Sequence, residues 1–182
     1  IKKLREMTGA GLSDCKKALA ESDDMDGAVA YLRKKGQAVA AKRSDREAAE
    51  GCVLVKAADG FGAIIALKCE TDFVANNADF VALTQQILDA AVAHKCKSLD
   101  EVKALPMGDG TVSDAVTARS GITGEKMELD GYSYIESNNI YTYNHMNRNG
   151  LCAMVALSAP VADETVGRNV AMQIASAAPV AI

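Results

Sequence analysis

Cys69-Glu70-Thr71-Asp72-Phe73-Val74-Ala75 follows an apolar strand-like run and precedes a long amphipathic helix. The stretch marks where extended chain gives way to helix. It also sets an acid beside a large aromatic in a chain with only 3 Phe and 4% aromatic residues. A Phe in such a connection either plugs this chain's own core or is presented to the core of another protein. The plug has a local test, because a hydrophobic staple pairs an apolar residue just before the N-cap with another at the fourth helical position. With Asp72 as cap those positions are Thr71 and Asn76; with Asn77 as cap they are Asn76 and Val81. Neither pair is apolar on both sides, and Phe73 occupies none of these positions. Thr71 or Asp72 still suits a cap, so Phe73 belongs to the core only if it packs on something distant. Pattern alone leaves both purposes open.

Upstream of this stretch, Cys52 to Ala57 and Phe61 to Cys69 read as strands joined around Ala58-Asp59-Gly60, a hairpin signal. Downstream, Ala78 to His94 is a helix whose apolar stripe is Phe80, Val81, Leu83, Ile87, Leu88, Ala91 and Val92. A weaker helical stretch covers Ser98 to Leu105, and Thr111 to Ser120 forms another with Val112, Ala115 and Val116 inward. Three strands follow, Lys126 to Glu136, Ile140 to His145 and Leu151 to Ser158, with a turn at Asn147-Arg148-Asn149-Gly150 between the last two. Asp163 caps a final helix running to about Ala178, before Pro179.

The first 36 residues read as three short helices. Ile1 to Met7 is the first, and Thr8-Gly9-Ala10-Gly11 breaks it. Ser13 or Asp14 suits the cap of the second, which buries Cys15, Ala18 and Leu19. Asp23, Asp24 and Asp26 favour the start of the third through its dipole; its apolar face is Met25, Ala28, Val29 and Leu32, and Gly36 is expected to stop it. The fold class expected is therefore α+β: a small three-helix module, then an antiparallel sheet core with helices packed on one side. The expected organisation is a module over 1–36, a linker over 37–50, a first core subdomain over 51–125 and part of a second over 126–182. Apolar residues at the bare end, Pro179-Val180-Ala181-Ile182, and a start at Ile1 inside a helical pattern suggest truncation at both ends.

A net charge of −4 over 182 residues does not favour a nucleic-acid groove. The charge is uneven: residues 1–50 hold 11 Lys and Arg against 9 Asp and Glu, the remainder 9 against 15. The five Cys form no C-x-x-C pair, so they read as reduced, small, mostly buried hydrophobes of a cytoplasmic protein. No apolar run is long enough to cross a membrane, and no signal-peptide pattern opens the chain. Phosphate loops of the G-x-x-x-x-G-K-[ST] and G-x-G-x-x-G kinds are missing, as is a G-x-S-x-G elbow. His94 and His145 lie far apart and near no Cys pair. Neither a metal, a cofactor nor enzymatic catalysis is expected.

The segment Arg5-Glu6-Met7-Thr8-Gly9-Ala10-Gly11-Leu12-Ser13-Asp14-Cys15-Lys16-Lys17-Ala18-Leu19 closely resembles the N-terminal signature of the bacterial elongation factor Ts family. Cys69 to Ala75 resembles its second signature, in the right order and at suitable spacing. With Tyr143-Asn144-His145, the resemblance covers essentially the whole chain. It implies a guanine nucleotide exchange factor that releases GDP from the GTPase elongation factor Tu and binds no nucleotide itself. It implies that Asp72 and Phe73, flanked by Thr71 and Val74, wedge against the partner near its magnesium-holding region. It further implies docking contacts at Lys2, Arg5, Leu12 and Ser13, a loop contact at Thr123 and Gly124, and a contact at His145.

Three positions depart from the family pattern. Ser13 and Thr123 are polar where apolar residues are common, and Asn76 replaces a frequent basic residue. The family's coiled-coil protrusion and the C-terminal half of its core have no counterpart within this sequence. Two rival readings stand beside this one. Three small helices with a Gly-containing loop also describe a ubiquitin-associated-type binding module. A thiol enzyme using Cys69 would need a depressed pKa and access.

Overall fold

The computed structural model describes residues 1–8 and 10–180, so Gly9 of the break after the first helix and the terminal 181–182 lie outside the described residues. The helical module comprises α1 (Lys2–Thr8), α2 (Leu12–Ala20) and α3 (Met25–Ala41). Leu4, Cys15, Ala18 and Ala28 are fully buried at its centre, with Leu19, Met25, Val29 and Leu32 packed around them. Asp24 supports the start of α3, its Oδ1 accepting from the Gly27 N–H at 2.7 Å.

Two local expectations for this module are corrected. The N-cap of α2 is Gly11, with no side-chain bond, and Ser13 and Asp14 lie inside the first turn. Asp14 is instead engaged by Lys35 of α3. Nor does α3 stop at Gly36; it runs on through the Ala-rich 37–41, so the expected linker is helical at its start. Gly36 serves close approach rather than termination, since a Cβ on Gly121 would lie 3.6 Å from the Gly36 Cα.

The core is built on the hairpin of β1 (Glu50–Ala58) and β2 (Phe61–Cys69). Asp59 and Gly60 take positive φ of 50° and 76°, the pair of left-handed residues that a tight hairpin turn needs. Alternate residues of β2, from Phe61 through Ala63, Ile65 and Leu67 to Cys69, are fully buried. They face α5 (Ala78–Ala93), which buries Phe80, Ile87, Leu88, Ala91 and Val92. Each such large side chain contributes about 1.5–3 kcal/mol on leaving water. Then come α6 (Leu99–Ala104), a small hairpin of β3 (Pro106–Met107) and β4 (Gly110–Thr111), and α7 (Val112–Thr123). Thr111 and Asp114 form a reciprocal capping box at the start of α7.

Strand β5 (Glu128–Glu136) pairs antiparallel with β2, giving sheet order β1-β2-β5. The strand expected to open a second subdomain at 126 therefore completes the first sheet. The pairing shifts register between Ala66 and Leu67, where Gly131 comes so close to Ala66 that a Cβ would sit 2.6 Å from the alanine methyl. Strands β6 (Ile140–Asn144) and β7 (Cys152–Ala156) form a separate hairpin. It packs against β1 and β2, with the Val53 N–H donating to the Asn149 carbonyl at 2.6 Å. Helix α8 (Glu164–Ala177), capped by Asp163, covers that hairpin through Ala171, Met172, Ile174 and Ala175. Mixed helix and antiparallel sheet behind a helical module is the α+β class expected.

Candidate functional site

Two caps six residues apart define the site. Strand β2 ends at Cys69, and the Thr71 hydroxyl accepts from the Val74 N–H at 3.4 Å. Six residues on, Asn77 Oδ1 accepts from the N–H groups of Asp79 and Phe80 and starts α5. Between the caps there is room for one turn, α4 (Asp72–Ala75), closed by Asn76 Nδ2 donating to the Asp72 carbonyl at 2.8 Å. Ala75 is buried in the main core and Val74 packs against it. Phe73 points the other way and is 85% exposed, whereas Phe61 and Phe80 are both fully buried. Phe73 is not a plug in this chain's core. Asp72 beside it is also exposed.

A second loop reaches this turn. Gly124, with φ 83°, closes α7 in the left-handed region, where a side chain would be strained. The chain then presents Glu125, whose Oε2 accepts from the Glu70 and Thr71 N–H groups at 3.0 and 3.1 Å. Glu125 Oε1 accepts from the Thr71 hydroxyl at 2.5 Å. In return Glu70 Oε1 accepts from the Lys126 N–H at 2.5 Å and faces Arg46 at 3.3 Å. The Lys126 N–H, followed by Arg46, holds the Glu70 carboxyl below its ordinary pKa. Thr123 is half-buried, its hydroxyl donating to the Arg119 carbonyl at 3.2 Å and accepting from the Glu125 N–H at 3.3 Å. Thr71 to Val74 and Thr123-Gly124, read separately from the sequence, are thus brought together. Glu125, which joins them, was missed; its only sequence signal is a carboxylate directly after a helix-ending glycine.

The other predicted residues lie elsewhere. Lys2 and Arg5 are exposed on α1, and Leu12 and Ser13 are exposed on the first turn of α2. Leu12 is 50% and Met7 47% exposed, large apolar side chains at the surface of a small module. His145 follows β6 in a short 3-10 turn rather than ending the strand. Its ring Nδ1 lies 3.0 Å from the Tyr143 hydroxyl, and its N–H donates to the Leu151 carbonyl. Tyr143 is buried, with the Arg168 guanidinium 5.3 Å above its ring. His145 itself is exposed.

The thiol alternative does not fit its surroundings. Cys69 is fully buried and its Sγ donates to the Thr71 carbonyl at 3.3 Å. Burial, with Glu125 nearby, pushes its pKa up to about 11, opposite to what a nucleophile needs. A cleft of about 760 Å³ is lined by the helical module, α5 and α7, beside the contact of α3 with α7. In its lining Lys35 pairs with Asp14 and Arg119 with Asp79, while Arg33 and Arg43 donate to the backbone carbonyls of Asp109 and Ser120. Among the described residues, no group of His, Cys, Asp and Glu side chains is arranged to hold a metal. No described helix is long and apolar enough to cross a membrane.

Fold and site define an α+β chain with a helical module, whose candidate site is a projecting turn rather than an enclosing pocket. The family model described as Elongation factor TS matches residues 70–182, beginning at the turn itself. Over the whole chain, the sequence is 68% identical to Elongation factor Ts of Bacteroides fragilis and 66% identical to that of Bacteroides thetaiotaomicron, covering 55% of each relative. It is 54% identical to Elongation factor Ts of Porphyromonas gingivalis, of which it covers 66%. The chain belongs to the elongation factor Ts family. It spans about half the length of the Bacteroides relatives it matches.

Proposed function

We propose that this chain acts in guanine nucleotide exchange, docking on elongation factor Tu and promoting release of its GDP, without catalysing a bond-making step of its own. Asp72 and Phe73 are the wedge, Thr71 and Val74 fix its base, and Thr123 and Gly124 add a loop contact. Lys2, Arg5, Leu12 and Ser13 form the docking face of the helical module, a unit distinct from the core, and His145 a further contact. The setting is the cytoplasm, where the partner works in translation. The observation that carries this reading is the exposure of Phe73, at 85%, on a turn whose next two residues, Val74 and Ala75, pack in the core. An adaptor of ubiquitin-associated type has no use for such a turn.

An exchange factor must bind its partner better without nucleotide than with it, and the coupling is reciprocal: nucleotide weakens the factor as much as the factor weakens nucleotide. A wedge supplies that coupling. Burying a Phe side chain contributes roughly 1.5–3 kcal/mol, and each 1.4 kcal/mol is about tenfold in an equilibrium constant. If Phe73 is buried only when the partner's magnesium-holding region moves, one side chain yields about ten- to a hundredfold of coupling. The test is to mix the chain with elongation factor Tu loaded with labelled GDP. Accelerated release supports exchange; release at the intrinsic rate rejects it.

A further inference from the structure

An 85% exposed Phe has almost no packing of its own to set its direction. Its aim is inherited from the backbone beneath it, which is held at both ends. At the C-terminal end Val74 and Ala75 are seated in the core. At the N-terminal end Cys69 is buried in the core and its Sγ donates to the Thr71 carbonyl, but Glu70 and Thr71 beyond it are only half-buried. The ladder between β2 and β5 ends at Lys68 opposite Glu128, and the strands have no backbone pairing beyond it. Past that point the two segments are joined by side chains. Glu125 accepts from the N–H groups of Glu70 and Thr71, and Glu70 accepts from the N–H of Lys126. Two carboxylates thus continue, in reciprocal fashion, the pairing that the strands have ended.

Glu125 does one thing more. A Thr hydroxyl has one hydrogen and two lone pairs, and its rotor follows the strongest acceptor. By taking the Thr71 hydroxyl hydrogen at 2.5 Å, Glu125 leaves a lone pair for the Val74 N–H, the bond that caps α4. The carboxylate therefore sets both the entry of the chain into the turn and the cap on which the turn is built. Glu125 is itself held, its carbonyl accepting from the Ser120 hydroxyl at 2.5 Å and its N–H donating to the Thr123 hydroxyl.

We propose that Glu125 is the positioning residue of the wedge: it touches no nucleotide, and it presents Phe73 in one orientation so that the ordering need not occur during docking. The effect on exchange rests on the function proposed above; the anchoring of the turn does not. The test compares Glu125→Ala and Glu125→Gln with the unaltered chain. First, hydrogen exchange at the Glu70 and Thr71 amides is read in the free protein. Both should lose protection in Glu125→Ala, by about tenfold or more for loss of a charge-assisted acceptor, while amides of β2 and α5 keep theirs. Glu125→Gln, which keeps an acceptor oxygen in place, should retain most of the protection. Second, GDP release from elongation factor Tu is titrated with each variant. The saturated rate should fall about tenfold in Glu125→Ala, with a smaller change in the concentration giving half the effect, and Glu125→Gln should restore most of it.

Unchanged protection at Glu70 and Thr71 in Glu125→Ala overturns the anchoring, whatever the exchange rates. Lost protection with an unchanged saturated rate overturns the positioning role. If the unaltered chain itself releases no GDP while the two amides lose protection in Glu125→Ala, the anchor stands and the exchange function falls.

Discussion

Phe73 and Val74 are adjacent in one helical turn and face opposite ways: Phe73 is 85% exposed, while Val74 packs against the main core. The opposition follows from the turn's brevity. With Thr71 capping α4 and Asn77 capping α5, five residues make the connection, and only one side of so short a turn meets the sheet. The buried side is filled by small or branched residues, Ala75 and Val74. The one large aromatic is left on the other side, where it serves nothing within this chain.

The chain's aromatics should therefore divide sharply by stability. Phe80 is fully buried on α5, and Phe80→Ala should cost about 3–5 kcal/mol through lost transfer energy and a cavity. That is a large part of the 5–15 kcal/mol typical of a folded domain. Phe73→Ala should stay within about 0.5 kcal/mol, as for other surface changes. Urea denaturation of both variants measures the difference, and a midpoint for Phe73→Ala as low as that of Phe80→Ala contradicts the exposed turn.

Stability should fall at alkaline pH. Burial pushes the thiols of Cys69 and Cys152 from an ordinary 9.0 up to about 11. Between these values the unfolded chain loses the protons before the folded one does, so unfolding becomes more favourable as pH rises. The contribution of each thiol is complete below pH 9.0 and is lost as pH climbs through about 11. Thermal melts from pH 8 to 11 should show a midpoint that declines above about 9, more gently when Cys152 is replaced by Ser. A midpoint as high at pH 11 as at pH 8 counts against these raised thiols.

Much of this was legible locally. The hairpin at Asp59-Gly60, the stripe of α5 and the cap Asp163 are short-range chemistry, and the structure has them; of Thr71 and Asp72, both suited to a cap in sequence, it uses Thr71, and Asn77 caps α5. Gly36 was misleading because a glycine that stops a helix and one that lets a neighbouring helix approach look the same in sequence. Ser13 and Asp14 were good caps left unused because Gly11 enters the helix first. The partner of β5 and the role of Glu125 were beyond local reading. Glu125 binds residues 55 and 54 positions away, and no periodicity records such a contact. The exposure of Phe73 was half legible: failed staple geometry argued against a local plug, and only the packed core settles that it lies outside.

The helical module should govern affinity more than rate. Arg5 is exposed on α1, away from the wedge turn in sequence and element. A charge at a docking rim changes association and affinity more than events at the centre of an interface. Arg5→Ala should raise the concentration needed for half-maximal GDP release by about three- to tenfold, leaving the saturated rate within about twofold. Equal half-maximal concentrations for the two proteins would remove Arg5 from the docking face.

The most direct measurement is the saturated rate of labelled GDP release from elongation factor Tu, driven by the unaltered chain and by Phe73→Ala. The wedge predicts a rate about ten- to a hundredfold lower for Phe73→Ala, with an unchanged melting temperature. A Phe73→Ala chain that matches the unaltered one at saturation would contradict it.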